Sequence, residues 1–417
     1  MEKRKGRWGW VFASAIAGVS MAGMTRSATP PPAPPPPTAA ISVESPLTTA
    51  FAAATAAANQ ARTASTPTQW SQVAAAWGEA IAALQTIAPT EPQWLFAQRK
   101  TREYLANQAI ALQRAETTGT PRVFPPLGNT VLDEQIALYL SYVATFGAPD
   151  VLVVGSSRAL QGIDPQILQQ RLSQQGLEAP TVYTFGVNGA TAQVVSFILR
   201  QLLTPEQLPR LIVWAEGSRA FNSGRVDRTY AQILASPGYA ALQAGDRPQL
   251  GYRAPDPDRP AQGHPVPVSA INGYGFLAVS DVFAPADYYR TFPRVTGQYD
   301  SSYQAFTLEG VQTESFRAIA AFARAQKLPF IFVNLPLSND YLDDTRLAYE
   351  RQFQQYLAAE AAQGDFIVID WLQEWRDRDQ FFADPSHLNA LGATQIATKL
   401  ATHPALPWGQ LLATPAD

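Results

Sequence analysis

The chain has 417 residues and no cysteine, which excludes disulfides, thiolate nucleophiles, thiolate metal sites and a lipid-modified amino-terminal cysteine. A hydrophobic fraction of 46% suffices for a sizeable core, while a net charge of -3 and the lack of a dense basic run beyond the first residues argue against a nucleic-acid surface. Any imidazole chemistry must use His264, His387 or His403.

Residues 1–28 read as an export signal or an uncleaved anchor. Lys3, Arg4, Lys5 and Arg7 form a basic head, Trp8 to Val19 is apolar, and Ser20-Met21-Ala22 offers a small-x-small cleavage pattern. The expected location is therefore exported, periplasmic or otherwise extracytoplasmic. Residues 29–66 read as a linker: TPPPAPPPPT at 29–38 is a stiff extended spacer, and the Ala/Thr-rich tract after it is expected to stay loose or weakly helical. Trp70, Val73, Trp77, Ile81 and Leu84 then recur at helical spacing until Pro89 and Pro92. Trp94, Gln98, Arg102, Leu105 and Ala109 line a second helix, so 67–118 is predicted to be a helical hairpin loosely like one tetratricopeptide unit. A single hairpin cannot bury its own apolar face. It must pack on the main domain, on an envelope protein partner or on a copy of itself.

From about residue 128 to 405, strands alternate with helices. Val151–Val154, Thr181–Phe185, Leu211–Ala215, Phe330–Asn334 and Phe366–Asp370 are apolar runs, with helical patterns near 164–175, 190–203, 312–327, 343–363 and 389–402. This predicts an α/β fold with a five-stranded parallel sheet covered on both faces, whose ligands bind beyond the strands' carboxyl ends. The interruption at 217–311, rich in Gly, Pro, Tyr and Asp, is expected to be a functional lid or wall.

A serine needs a base oriented by an acid before it attacks a carbonyl. Ser157 ends the first strand in VLVVGSSR, and Asp384 precedes His387 by three residues in FFADPSHLNALGA. His264 lies inside the interruption and His403 at the end of the last helix, so His387 is the candidate base. Ser156 is the rival nucleophile. Taken singly, Gly-Ser-Ser is an ordinary turn, Asp-x-x-His an ordinary helix start and NGAT an ordinary cap; their weight comes from falling together at one rim of the sheet.

Gly155-Ser156-Ser157, FGVNGAT at 185–191 and DPSHLN followed by Gly392 resemble, in order, the first, second and last blocks of the SGNH (GDSL-type) esterases and acyltransferases. The resemblance covers about residues 128 to 405. It implies a flavodoxin-like three-layer sandwich, a Ser157/His387/Asp384 triad and an oxyanion hole that includes the Gly189 N–H. The family's third block supplies a further oxyanion donor; here WAEGSRAFNSG offers Ser218 or Asn222. Ser156 replaces the aspartate that precedes the nucleophile, and FVNLPLSNDYLDD follows the fourth strand. In these features the chain resembles exported branches tied to polysaccharide O-acetylation or polymer D-alanylation.

Arg158, Asn188 and Arg219 are candidates to hold an anionic or sugar substrate, against plain salt bridges at the rim. Trp214, Trp371 and Trp375 are predicted to be core aromatics, and Tyr299, Asp300 and Tyr303 either line the pocket or sit on a solvated loop. Asp343-Asp344 and the Asp377/Asp379 pair read as solvated faces, and no metal cage or phosphate loop is recognisable, so no cofactor is expected. The function expected is an acyl-ester hydrolase or O-acyltransferase acting on an acylated carbohydrate or small ester in the cell envelope. The alternative is an inactive binding or assembly protein on the same scaffold.

Overall fold

A computed structural model describes residues 45–88, 90–116, 124–248, 270–364 and 366–413. The basic-apolar amino terminus, the proline spacer and His264 lie outside the described residues, and no described helix is long and apolar enough to cross a membrane.

Helix α1 (Pro46–Thr63) occupies the tract expected to be loose, so the linker assigned to 29–66 does not extend through it. Ser45 caps it by accepting the Thr48 N–H, and Ala50, Ala54, Ala57 and Ala61 are buried along one stripe. The period is present but written in alanine, the best helix former and a weak hydrophobe, so it carries little hydrophobic contrast. Helix α2 (Pro67–Gln85) starts at a Thr66/Gln69 capping box and buries Trp70, Val73, Trp77, Ile81 and Leu84. Helix α3 (Trp94–Glu116) lays Tyr104 against Trp77 with ring centroids 5.1 Å apart. The array thus has three helices rather than a hairpin.

It packs on the main domain. Helix α4 (Thr130–Phe146), which the sequence analysis did not mark, carries Glu134, and Arg102 of α3 pairs with that carboxylate and also donates to the Ile271 carbonyl at 2.9 Å. Burial pushes Glu134 up to about 7 despite the attraction of Arg102. Thr145 of α4 also bonds Gln108 of α3.

The sheet follows the predicted runs to within a residue. Strand β1 (Val151–Gly155) leads into helices α5 (Ser157–Gly162) and α6 (Pro165–Gln174), then β2 (Val182–Gly186), α7 (Ala192–Phe197) with a π-helical turn over Ile198–Leu202, and β3 (Leu211–Glu216). The long interruption contains helices α8 (Arg228–Leu234), α9 (Pro237–Gln243) and α10 (Pro285–Thr291). The chain then supplies α11 (Val311–Ala325), β4 (Phe330–Asn334), α12 (Asp344–Gln363) and β5 (Ile367–Asp370). It ends with a small antiparallel pair, β6 (Phe382–Asp384) and β7 (His387–Leu388), and helices α13 (Ala390–Ala401) and α14 (Trp408–Leu411).

Five parallel strands lie in the order β2-β1-β3-β4-β5, the doubly wound arrangement whose winding reverses between β1 and β3. Alternation along each strand separates two cores. Leu152, Val154, Tyr183, Phe185, Ile212, Trp214 and Phe332 face the side covered by α4, α7, α11 and α12. Val151, Val153, Val182, Val213, Ile331 and Val333 face α5, α6 and α13. Trp214, Trp371 and Trp375 are all core residues, as predicted.

The turn out of β1 is tight. Gly155 has φ +149°, and a Cβ there would sit 2.4 Å from the Ala215 carbonyl oxygen and 2.9 Å from the Ala159 Cβ. We predict that Gly155→Ala lowers the unfolding free energy by about 3 kcal/mol, since both backbone strain and overlap with neighbouring backbone oppose it. Urea denaturation followed by circular dichroism measures this; an unchanged midpoint would refute the claim that the turn admits no side chain.

Candidate active site

The rim beyond β1 and β3 holds a cleft of about 150 Å³ lined by Ser156, Ser157, Gly189, Ala190, Glu216, Arg219, Ala220, Arg225, Ser302 and His387. It lies at the switch point, where a doubly wound sheet leaves a crevice.

Ser156 is the amino-terminal cap of α5. Its Oγ accepts the Arg158 N–H at 3.2 Å, while its own N–H donates to Glu216 Oε2 at 2.7 Å. With Ser156 so used, Ser157 is the first residue of the helix and its Oγ stands 2.7 Å from His387 Nε2. The two residues are 230 positions apart.

His387 arrives on the tight β6–β7 pair, whose turn is Pro385-Ser386. Its Nδ1 lies 2.8 Å from Asp384 Oδ2, and its backbone N–H donates to Asp384 Oδ1 at 3.0 Å. The Ser386 N–H donates to the same oxygen at 2.8 Å. The block is fixed from below by Asn389, which caps α13 by accepting the Gly392 N–H and donates to the carbonyls of Asp281, Gln380 and Phe382. Burial works to raise the Asp384 pKa, but the His387 hydrogen bond and charge, the Ser386 N–H and the Arg219 charge outweigh it and hold the carboxyl below its usual value.

Gly189 has φ +73°, and a Cβ there would come within 2.8 Å of Thr229 Oγ1. Among the described residues no acceptor takes the N–H of Ser157 or of Gly189. Two residues of the cleft lining thus have uncommitted backbone donors. Asn188 does not line the cleft; its carbonyl accepts the Thr229 hydroxyl.

Three expectations need correction. Ser218 is fully buried, and its hydroxyl donates to Glu350 at 2.6 Å, away from the cleft. Asn222 is equally buried and spends its amide on the carbonyls of Ser302 and Gln304 and its oxygen on the N–H groups of Gly224 and Thr307. Neither side chain is left to receive an oxyanion. The β3 end enters a 3₁₀ turn over Ser218–Phe221, and in that geometry Arg219 is the polar side chain turned into the cleft. Arg158, expected at the rim, is buried, and its guanidinium donates to the carbonyls of Leu335 and Pro336 at 2.5 and 3.1 Å. It joins α5 to the end of β4 and does not face a substrate.

Tyr299 is exposed, Tyr303 is buried with its hydroxyl on Glu350 at 2.6 Å, and Asp300 accepts from Tyr341 and Arg346. The residue of that loop that lines the cleft is their neighbour Ser302. His403 packs against Trp371, remote from the cleft lining. Glu216, Arg225 and Ser302 were missed by the sequence reading. For Glu216 a signal existed: a carboxylate closing an otherwise apolar buried strand needs partners, and the turn N–H groups of Ser156 and Gly217 are those partners.

No family profile matches the chain, and no curated protein matches it significantly. Solved structures that resemble it distantly include the following two. The lipase Lip_vut3 from a goat rumen metagenome is 11% identical, with 60% of this chain and 95% of that one covered at a TM-score of 0.33. An acylhydrolase candidate from Bacteroides fragilis NCTC 9343 is 10% identical, with 63% and 92% covered at a TM-score of 0.30. Likeness at that level carries no functional argument, and the chemistry rests on the residues of the cleft.

Two measurements check this description. Arg158→Met is expected to lower the unfolding free energy by about 2 kcal/mol through the carbonyls it leaves unpaired; a raised KM with unchanged stability would instead mark a substrate contact. Because the folded Asp384 pKa lies below the unfolded value of about 4, its stabilisation is present above that pH and lost as pH falls through the folded value. The stability gap between wild type and Asp384→Asn should therefore narrow in acid, and a gap that widens there would contradict the depressed pKa.

Proposed function

We propose that the chain is a serine-dependent acyl-ester hydrolase or O-acyltransferase of SGNH type, acting outside the cytoplasm on an acylated carbohydrate or another polar ester. The observation that carries this reading is the continuous series from Ser157 Oγ through the His387 ring to Asp384, with 2.7 Å at the first contact and 2.8 Å at the second. The placement outside the cytoplasm rests on the basic and apolar pattern of residues 1–28.

In the proposed reaction, Ser157 Oγ bonds to the acyl carbon as its proton passes to His387 Nε2. Asp384 holds the ring in the tautomer that presents Nε2 as acceptor and stabilises the imidazolium that forms. The negative charge on the carbonyl oxygen meets the N–H groups of Ser157 and Gly189. His387 then gives its proton to the departing alkoxide as the C–O bond breaks. Water or a sugar hydroxyl, deprotonated by the same imidazole, bonds to the acyl carbon, and the imidazolium returns that proton to Ser157 Oγ as the bond between Oγ and the acyl carbon breaks. Both outcomes use the same residues.

The second reading, an envelope binding or assembly protein, draws on one feature: Ser218 and Asn222 are both committed elsewhere, which leaves the third oxyanion donor without a side chain from those positions. Fluorophosphonate labelling and turnover of 4-nitrophenyl acyl esters separate the two. Wild type should label and turn over, Ser157→Ala should do neither, and Asp384→Asn should lower kcat by on the order of 10³-fold or more. His387→Gln should abolish labelling while the protein stays folded. A wild type that neither labels nor hydrolyses would favour the binding reading, and activity that survives in Ser157→Ala but not in Ser156→Ala would move the nucleophile by one residue.

A further inference from the structure

We propose that the cleft binds an anionic oxygen group of its substrate, a carboxylate or a phosphate, on the guanidiniums of Arg219 and Arg225, an inference that builds on the acyl-transfer reading of the same site. Both side chains line the cleft together with Ser157 and His387. Both are half-buried, and among the described residues neither has a carboxylate at ion-pair distance.

Two other arginines withdrawn from solvent carry carboxylate partners, while the buried Arg158 is satisfied by the carbonyls of Leu335 and Pro336. Arg346 is paired with Asp300 and Asp343, and Arg102 with Glu134. The carboxylates whose charge acts on Arg225 already have partners, Asp227 accepting the Thr191 hydroxyl and the Tyr230 N–H. Glu216 accepts the N–H groups of Ser156 and Gly217, and Asp300 accepts from Tyr341, Arg346 and the Ser302 N–H.

The cleft arginines are nonetheless held in place. The Arg219 guanidinium lies 5.7 Å from the Tyr341 ring centroid and 3.4 Å from its hydroxyl. Arg225 donates to the Arg219 carbonyl at 3.1 Å. A guanidinium has five donors in a planar fork, and these contacts use few of them. Two like charges converge on a small cleft that contains one carboxylate, Glu216, with its oxygens already engaged. Burial and the Arg219 charge act to lower the Arg225 pKa, against the pull of Asp227, Glu216 and Asp300, whereas Arg219, despite burial, is held above its usual value by Tyr341, Tyr303, Glu216 and Asp300. An oxyanion bound by the two forks relieves that repulsion, and carboxylate and phosphate have the geometry to accept from a fork at two oxygens.

The test has a binding arm and a kinetic arm. In the Ser157→Ala protein, sodium phosphate and sodium succinate are titrated by calorimetry at low ionic strength, with and without Arg219→Gln or Arg225→Gln. Binding of at least one anion that weakens about tenfold in either variant is the expected result. Arg219→Lys, which keeps the charge but loses the fork, should weaken it less; it also serves if Arg219→Gln does not fold.

In wild type, 4-nitrophenyl butyrate is compared with mono-4-nitrophenyl succinate and with acetyl phosphate. Preference for the succinate ester puts the anion on the acyl side, and preference for acetyl phosphate puts it on the leaving group. Either preference should shrink about tenfold in Arg219→Gln. The proposal is overturned if neither anion binds, if binding ignores both arginines, or if the variants lose neutral and anionic esters in equal measure. Arginine-dependent anion binding without ester turnover would sink the acyl-transfer reading and leave the anion site standing. Ester turnover without such binding would do the reverse.

Discussion

The candidate site depends first on how closely the carboxyl ends of β1 and β3 lie side by side. Gly155 leaves no space for a side chain against the Ala215 carbonyl, so the backbone of the next turn passes directly over the end of β3. Glu216 waits there as a buried carboxylate, which would be costly without partners. The N–H groups of Ser156 and Gly217 supply them, one from each strand end. This shared acceptor determines the direction in which the chain leaves β1, and so makes Ser157, rather than Ser156, the first helical residue with an outward hydroxyl. The Ser156 hydroxyl is drawn back to cap the helix.

The imidazole is positioned by an equally local arrangement. Asp384 and His387 face each other across a two-residue turn, so their mutual contact needs little from the rest of the chain. What must be supplied from afar is the placement of that turn against α5. Asn389 does this with one side chain that caps α13 and gathers three carbonyls, including one from the long excursion at Asp281. Such second-layer support is what holds a reacting pair within hydrogen-bond reach on rigid elements. It also explains how residues 230 positions apart meet: closing a longer loop adds only logarithmically to the entropy cost.

The sheet was legible in the sequence because buried parallel strands are written as unbroken apolar runs bounded by helices, a pattern with little ambiguity at this length. Helix α1 was not legible, since its buried stripe of Ala50, Ala54, Ala57 and Ala61 has period without hydrophobic contrast. Within the site, Asp384 and His387 could be paired from their spacing alone. Which side chain after β3 faces the cleft could not be found that way. Ser218, Arg219 and Asn222 lie in or beside one 3₁₀ turn, and which of them faces the cleft depends on the two partners that claim the others, Glu350 for Ser218 and the 302–307 loop for Asn222. Those partners lie 80 or more positions away, beyond what local spacing encodes. Arg158 differs from expectation for a related reason: a cation next to Ser157 suggests recognition, but two strand-end carbonyls have a prior claim on it.

The described part of the excursion behaves as a wall. Asn222 makes all four hydrogen bonds its amide allows, three of them to the 302–307 segment. Arg346, buried on α12, reaches the Val295 carbonyl, Asp300 and Asp343, while Asp343 also accepts the Gly297 N–H. A buried polar network with its members satisfied resists opening, because each bond broken leaves a desolvated group behind. Ser302 is therefore held at the cleft by bonds on both sides of it, and Arg219 is held by the ring of Tyr341, itself bonded to Asp300. The polar groups of the cleft wall are thus fixed in place, and those with donors to spare are the two arginines. For the anion proposed above, a guanidinium pair held in this way has little freedom left to lose on binding, which is the condition under which it is worth more than a flexible one.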